Sequence, residues 1–252
     1  MCEFFSCIVT KTKDVFYHDN SNCHDEIISH YKLNDGVDGQ LRQLFARVEI
    51  TPPNGDVFQP VEKWNFRIDE TVLLNWFTEK HKKSCMVVLE NYLSKYLILD
   101  QTVEEIREGR YWLKNSTVKS MRDNSTVEFM YDNSTIEHMQ DNSTVKYLHD
   151  NSTVESMEDN STVEFMQANS TVKSMRNNST VEYMRDNSTI ESMYDNSTVE
   201  YMRDNSTIES MYDNSKLKWR EENEKINKAI LGDIPQFREN KPEYSGYMIT
   251  AY

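Results

Sequence analysis

The chain has 252 residues, a formal charge of −14, 28% charged and 37% hydrophobic residues. No stretch approaches the roughly eighteen consecutive apolar residues of a membrane helix, and Cys2, Cys7, Cys23 and Cys85 are too irregularly spaced for a disulfide framework. The acidic balance disfavours direct nucleic-acid binding, and with no apolar leader at Met1-Cys2-Glu3 the expected location is a reducing cytoplasm.

Residues 1–99 have the mixed pattern of a compact α+β domain. Phe4 to Thr10 and Val15 to His18 predict a hairpin around Lys11-Thr12-Lys13-Asp14. Ser21 or Asn22 can cap a short helix through Ile27, Ile28 and Tyr31, stopped near Gly36. Phe45 to Thr51 alternates, with Ala46, Val48 and Ile50 on one face and Arg47 and Glu49 on the other. Trp64, Phe66 and Ile68 alternate with Asn65, Arg67 and Asp69 in the same way, and helices are predicted over Val72 to Phe77 and Met86 to Leu97. Residues 100–114 read as the N-terminal cap of a repeat array, with Tyr111, Trp112 and Leu113 covering its first coil.

Residues 115–213 are eleven unbroken copies of Asn-Ser-Thr-Val/Ile-x-x-Met-x-Asp. β-Branched residues flanked by Asp-Asn-Ser turn chemistry suit short strands joined by tight corners, so the array reads as a β-solenoid, or β-helix. Position six sets the true period. Even copies carry Phe129, Tyr147, Phe165, Tyr183 and Tyr201, whereas odd copies carry Ser120, His138, Ser156, Ser174, Ser192 and Ser210. One coil is therefore two units, eighteen residues, with two unlike faces, and the aromatics should form one column. Residues 214–219 are a degraded twelfth copy with Leu217 in the valine position and Trp219 in the aromatic one.

Pleating alone puts positions four and six on one side and position seven on the other, so the chain must bend. Two packings satisfy this. In the first, which we favour, Ser, Val and Met at positions two, four and seven form the interior and a kink after position five leaves position six outside. In the second, each aromatic packs against a serine across the core. Asp and Asn at the corners tolerate left-handed backbone and bond nearby backbone groups. The same letters spell glycosylation acceptors, but eleven on closely stacked strands would crowd, and that reading is set aside.

Arg220 to Leu231 has helical spacing in Ile226, Ala229 and Ile230 and predicts a C-terminal helical cap, followed by a Pro-punctuated tail ending in Tyr244, Tyr247, Met248, Ile249 and Tyr252. The expected organisation is an α+β domain over 1–99, a cap over 100–114, solenoid repeats over 115–219, and a helical cap with extended tail over 220–252.

Four stretches carry a resemblance: Phe4-Phe5-Ser6-Cys7-Ile8-Val9, Phe45 to Pro52, Lys63 to Asp69, and Glu108 to Lys114. They look like an N-terminal module of uncharacterised bacterial and phage proteins in which it is joined to Asn-Ser-Ser/Thr-Val-x-x-Met solenoid repeats. The resemblance spans about residues 1–219. It implies a phage or mobile-element origin, a role in conflict between phage and host and, for a phage-encoded protein, the host cell cytoplasm as its location; it brings no catalytic residues with it. In that group position six often carries charge, which supports its outward placement.

Chemistry-bearing constellations are sparse. Cys2 would become N-terminal if Met1 were removed, but no His/Asp partner set accompanies it. His18, Cys23, His24 and His30 show no paired metal-ligand spacing, and no metal or cofactor is expected. Arg47, Glu49, Arg67 and Asp69 share polar strand faces that either are simply solvated or line a pocket. Charge is the stronger signal, because the array holds nine Asp and nine Glu against three Lys and four Arg, a net of −11. At position five Glu182, Glu191, Glu200 and Glu209 succeed one another without interruption, so Glu182 with Glu200 and Glu191 with Glu209 should be like-charge neighbours. The leading expectation is a non-enzymatic interaction protein presenting a rigid acidic solenoid, with these glutamates and the aromatic column, to a protein partner with a basic surface. The alternative is a binder of small, nucleotide-like molecules, or an enzyme, seated in the N-terminal domain.

Overall fold

The computed structural model describes residues 4–19, 21–34, 44–71, 74–220, 225–226 and 249–250, in two compact units divided between Tyr96 and Leu97. Cys2 and the aromatic residues of the C-terminal tail lie outside the described residues.

In the first unit, β1 (Phe5–Thr10), β2 (Val15–Phe16), β3 (Phe45–Thr51) and β4 (Asn65–Ile68) form an antiparallel sheet of order β2-β1-β3-β4. The hairpin closes where expected, with the Thr10 N–H donating to Asp14 O at 2.9 Å. Helices α1 (His24–His30) and α2 (Glu79–Tyr96) serve opposite faces, matching the alternation of β1. On one face Phe5 meets Tyr92 of α2 at 5.2 Å between ring centroids, and the Cys7 thiol bonds Cys85. That hydrogen bond and burial push the Cys7 thiol well above its ordinary pKa, so it stays protonated. On the other face Ile27 of α1 packs with Ile8 and Phe45.

Three local expectations are corrected. The residue before α1 is Cys23, which makes no side-chain cap bond, while Ser21 Oγ instead accepts the Cys23 N–H at 3.1 Å. Leu74 to Phe77 is not helical, because the chain turns there ahead of α2. Helix α2 begins at Glu79 rather than Met86, and Leu97 already belongs to a strand. Its charged first turns, Glu79-Lys80-His81-Lys82-Lys83, lack apolar spacing; the start is held by His81, whose Nδ1 accepts the Thr78 N–H at 3.1 Å while Nε2 donates to Lys11 O at 3.2 Å.

The second unit is a β-solenoid. Strands β5 (Leu97–Leu99), β6 (Thr102–Ile106) and β7 (Arg110–Lys114) precede one strand per copy from β8 (Thr117–Met121) to β19 (Lys216–Arg220). They build two parallel stacks of seven and eight strands, the even-numbered strands in one and the odd-numbered in the other. The eighteen-residue period is direct: Val127 pairs with Val145 and Phe129 with Tyr147, one coil apart. Residues 102–106 and 110–114 pair as strands of these same stacks.

The interior is positions two, four and seven. Ser125, Val127 and Met130 are fully buried, and so are their counterparts along the array. Backbone pairing is registered at positions three, four, six and seven and skips position five, where the strand bends and turns methionine inward. The rival packing fails because Tyr183 and Tyr201 are 40% and 42% exposed. At position two some hydroxyls return to the corner, as when Ser125 Oγ donates to Arg122 O at 2.7 Å, whereas those of Ser143, Ser161, Ser170, Ser179, Ser188 and Ser197 are buried without a hydrogen-bond partner.

At the corners position nine is left-handed in every coil, with φ between 55° and 59° from Asp123 to Asp204. Asp and Asn bear this conformation at least cost, and their oxygens also tie coils together. Asp141 Oδ2 accepts the Asp123 N–H, and Asp150 Oδ2 the Asp132 N–H, each at 3.2 Å. Ala168 holds the same φ of 55° without a side-chain oxygen to offer the Asp150 N–H one coil before it. Ala168→Asn should therefore stabilise the protein by about 1 kcal/mol, read as a higher midpoint in thermal denaturation; a lower midpoint would remove backbone conformation as the reason for Asp at this position.

The far end departs from the expected helix. Lys225–Ile226 (β20) adds as a parallel strand to β18 (Thr207–Met211), pairing Ile208 with Ile226. Asn223 and Ile226 occupy positions one and four of a thirteenth, degenerate copy. The open edge of β18 offers unpaired backbone groups in register, and here edge pairing overrides the local helical spacing. The rest of the predicted helix lies outside the described residues. Ile249–Thr250 (β21) pairs antiparallel with β19.

Candidate functional site

Two side-chain columns run beside each other on the odd-numbered strands. At position six the expected aromatic column forms a continuous stack: Phe129–Tyr147, Tyr147–Phe165, Phe165–Tyr183 and Tyr183–Tyr201 centroids are 4.7, 5.1, 5.0 and 4.9 Å apart, with interplanar angles of 8° to 10°. Trp219 extends it at 5.9 Å with a tilt of 51°. The ring faces are consumed by stacking, so what the column offers outward is ring edges and tyrosine hydroxyls.

At position five of the same strands the order is Glu128, Lys146, Glu164, Glu182, Glu200 and Lys218. Each lysine takes the glutamate one coil before it, Lys146 Nζ to Glu128 Oε1 at 3.0 Å and Lys218 Nζ to Glu200 Oε1 at 2.5 Å. Glu182 stands between two acids. Burial, then Glu164, then Glu200 raise its pKa above the ordinary carboxylate value. Ionisation of Glu182 therefore opposes folding: its contribution is fully favourable below the ordinary pKa and is lost as pH rises through the raised one. On the other stack Glu191 lies between Lys173 and Glu209, and Lys173 bonds Glu155 at 2.7 Å. The expected like-charge neighbours are thus real, but Glu200 is compensated by Lys218 whereas Glu182 is not.

In the first unit Glu49 and Arg67 are cross-strand partners, and the Glu49 carboxylate accepts from the Arg67 guanidinium. The Asp69 N–H donates to Arg47 O at 2.9 Å, while the Arg47 side chain turns to Glu70 at 3.1 Å. Glu49 is only 3% exposed, whereas Arg67 and Asp69 beside it remain open to solvent, so this face is covered only in part. Sequence reasoning weighs His24 only beside His18, Cys23 and His30 and misses its place here: it reaches the group from α1, with Nε2 donating to Val48 O at 3.1 Å and Nδ1 at 3.7 Å from Asp69 Oδ2. The signal lies in the apolar Ile27, which commits α1 to one face of the sheet and carries His24 with it.

A cleft of about 510 Å³ in the same unit is lined by Lys13, Lys80 and Lys83 together with Val15, Ser84, Val87 and Val88. No helix among the described residues is long and apolar enough to cross a membrane. Comparison with known proteins finds no matching family model, no similar curated protein and no similar solved structure.

Proposed function

We propose that this is a non-enzymatic interaction protein whose acidic β-solenoid binds a protein partner with a basic surface. The observation that carries the reading is the run Glu164, Glu182 and Glu200 beside the half-exposed ring edges of Phe165, Tyr183 and Tyr201. Aromatic edges and tyrosine hydroxyls supply interface area at low conformational cost, and a like-charge run that opposes folding is relieved when cations dock on it. The N-terminal α+β module then serves as a second contact, and residues 220–252 close the far end. The resemblance to phage and bacterial proteins adds a setting, a phage- or mobile-element-encoded inhibitor of a host defence factor acting in the host cytoplasm.

The test is a variant that reverses charge without breaking a salt bridge. Glu182→Lys places a cation between Glu164 and Glu200, and Glu209→Lys places one beside Glu191. The double variant should be at least as heat-stable as the parent, and should lose most of the capture of a host protein that the parent retains at about 50 mM salt and releases as salt rises past about 300 mM. Capture indifferent to both salt and variant removes the acidic columns from the interface.

A second reading, a small-molecule binder in the N-terminal unit, draws on the cleft at Lys13, Lys80 and Lys83, whose apolar wall and three cations suit a planar anion such as a nucleotide.

A further inference from the structure

The polar face under α1 presents an electrostatic imbalance. Glu49 and Asp69 bring two negative charges and Arg67 one positive, with the partly buried Arg47–Glu70 pair neutral beside them. His24 is 6% exposed, and its ring orientation is set by the hydrogen bond from Nε2 to Val48 O. That places Nδ1 3.7 Å from Asp69 Oδ2, beyond hydrogen-bonding distance. A cation lodged between Nδ1 and this half-exposed carboxylate would bond both. The Glu49 carboxylate completes the group: one ligand atom each from His24, Glu49 and Asp69 lies within 4.8 Å of the other two.

We propose that His24, Glu49 and Asp69 form a binding site for one divalent transition-metal ion of the kind shared by imidazole and carboxylate ligands, entered by displacement of the Arg67 guanidinium. The donor set is one nitrogen and two oxygens, which suits zinc or cobalt with solvent filling the remaining position. The Val48 carbonyl plays the orienting part that a backbone acceptor plays for a metal-bound histidine. Arg67 is the replaceable member. Its side chain is 58% exposed while that of Glu49 is 3% exposed, so the guanidinium closes the site from the solvent side and can swing away without unpacking the sheet. A metal site here is independent of what the solenoid binds.

Titration of the full-length protein with Co²⁺, monitored by visible absorbance and thermal denaturation, tests this. One saturable equivalent with ligand-field bands is expected, chased by Zn²⁺ with a rise in Tm. Arg67→Gln removes the competing cation and should tighten Co²⁺ binding about tenfold, whereas Asp69→Asn and His24→Gln should each weaken it about tenfold or more. His24→Gln retains an amide that can donate to Val48 O. If that variant nevertheless fails to fold, Asp69→Asn, at a side chain 47% exposed, gives the same answer. Absence of a one-equivalent phase in both the parent and Arg67→Gln overturns the proposal. So does a phase unchanged by Asp69→Asn, which would assign the metal to the carboxylates of the solenoid.

Discussion

Met157→Ala is expected to destabilise the solenoid by about 2–5 kcal/mol. Met157 is fully buried and sits in register between Met139 and Met175, so truncation opens a void whose neighbours above and below are each held by their own coils. Where each coil is pinned by pairing to the next, the facing stack can close on the gap only by disturbing its own register. The loss should therefore fall at the large end of the range and reduce cooperativity, splitting the array near its middle. Trp112 in β7 and Trp219 in β19 lie toward opposite ends of the array, so versions that keep only one of the four tryptophans report the two parts separately by fluorescence in a denaturant titration. A loss no larger than that of Ser192→Ala, a change at the half-buried position six, would show that methionine at position seven does not carry the core.

Removal of residues 221–252 should convert a single species into oligomers or aggregate. The deletion strips β20 from β18 and β21 from β19, leaving the backbone N–H and C=O groups of both last strands open at once. Such an edge, already in register with any other coil of the same repeat, is a template for end-to-end addition. Light scattering after size exclusion reads the outcome. A truncated protein that stays at the parent's state of association and Tm would mean that these two short strands do not protect the end.

The repeat makes most of the solenoid legible in the sequence alone. Alternation of Phe or Tyr with Ser at position six is sufficient for the eighteen-residue coil, since only stacking of units i and i+2 makes such a pattern useful. The bend at position five results from requiring Val127 and Met130 to face inward together, which pleating forbids in a straight strand. What the repeat hides is its own decay. Asn223 and Ile226 keep the spacing of a thirteenth copy, but the helical spacing of Ile226, Ala229 and Ile230 competes with it, and only the open edge of β18 decides between them. In the first unit, alternation along β3 separates Ala46, Val48 and Ile50 from Arg47 and Glu49, yet cannot say that Glu49 is covered on the polar face. Burial of Glu49 depends on where α1 lands, a long-range matter with no period in the sequence. The juxtaposition of His24 with Glu49 and Asp69 is invisible for the same reason.

Because both stacks share one interior and differ only outside, the array treats odd and even changes in copy number unequally. Losing one nine-residue copy leaves every later Ser, Val and Met buried, but it passes each subsequent residue to the opposite stack. Loss of residues 169–177, for example, would set Tyr183 over Ser156 and Ser192 over Phe165, while Tyr201 stays over Tyr183 and Lys218 over Glu200. Losing two copies shortens the stack and preserves its pattern. Slippage in a repetitive coding sequence thus meets a parity rule: odd steps keep a foldable protein but break each surface column at the junction and carry its remainder to the opposite stack, while even steps leave the columns whole.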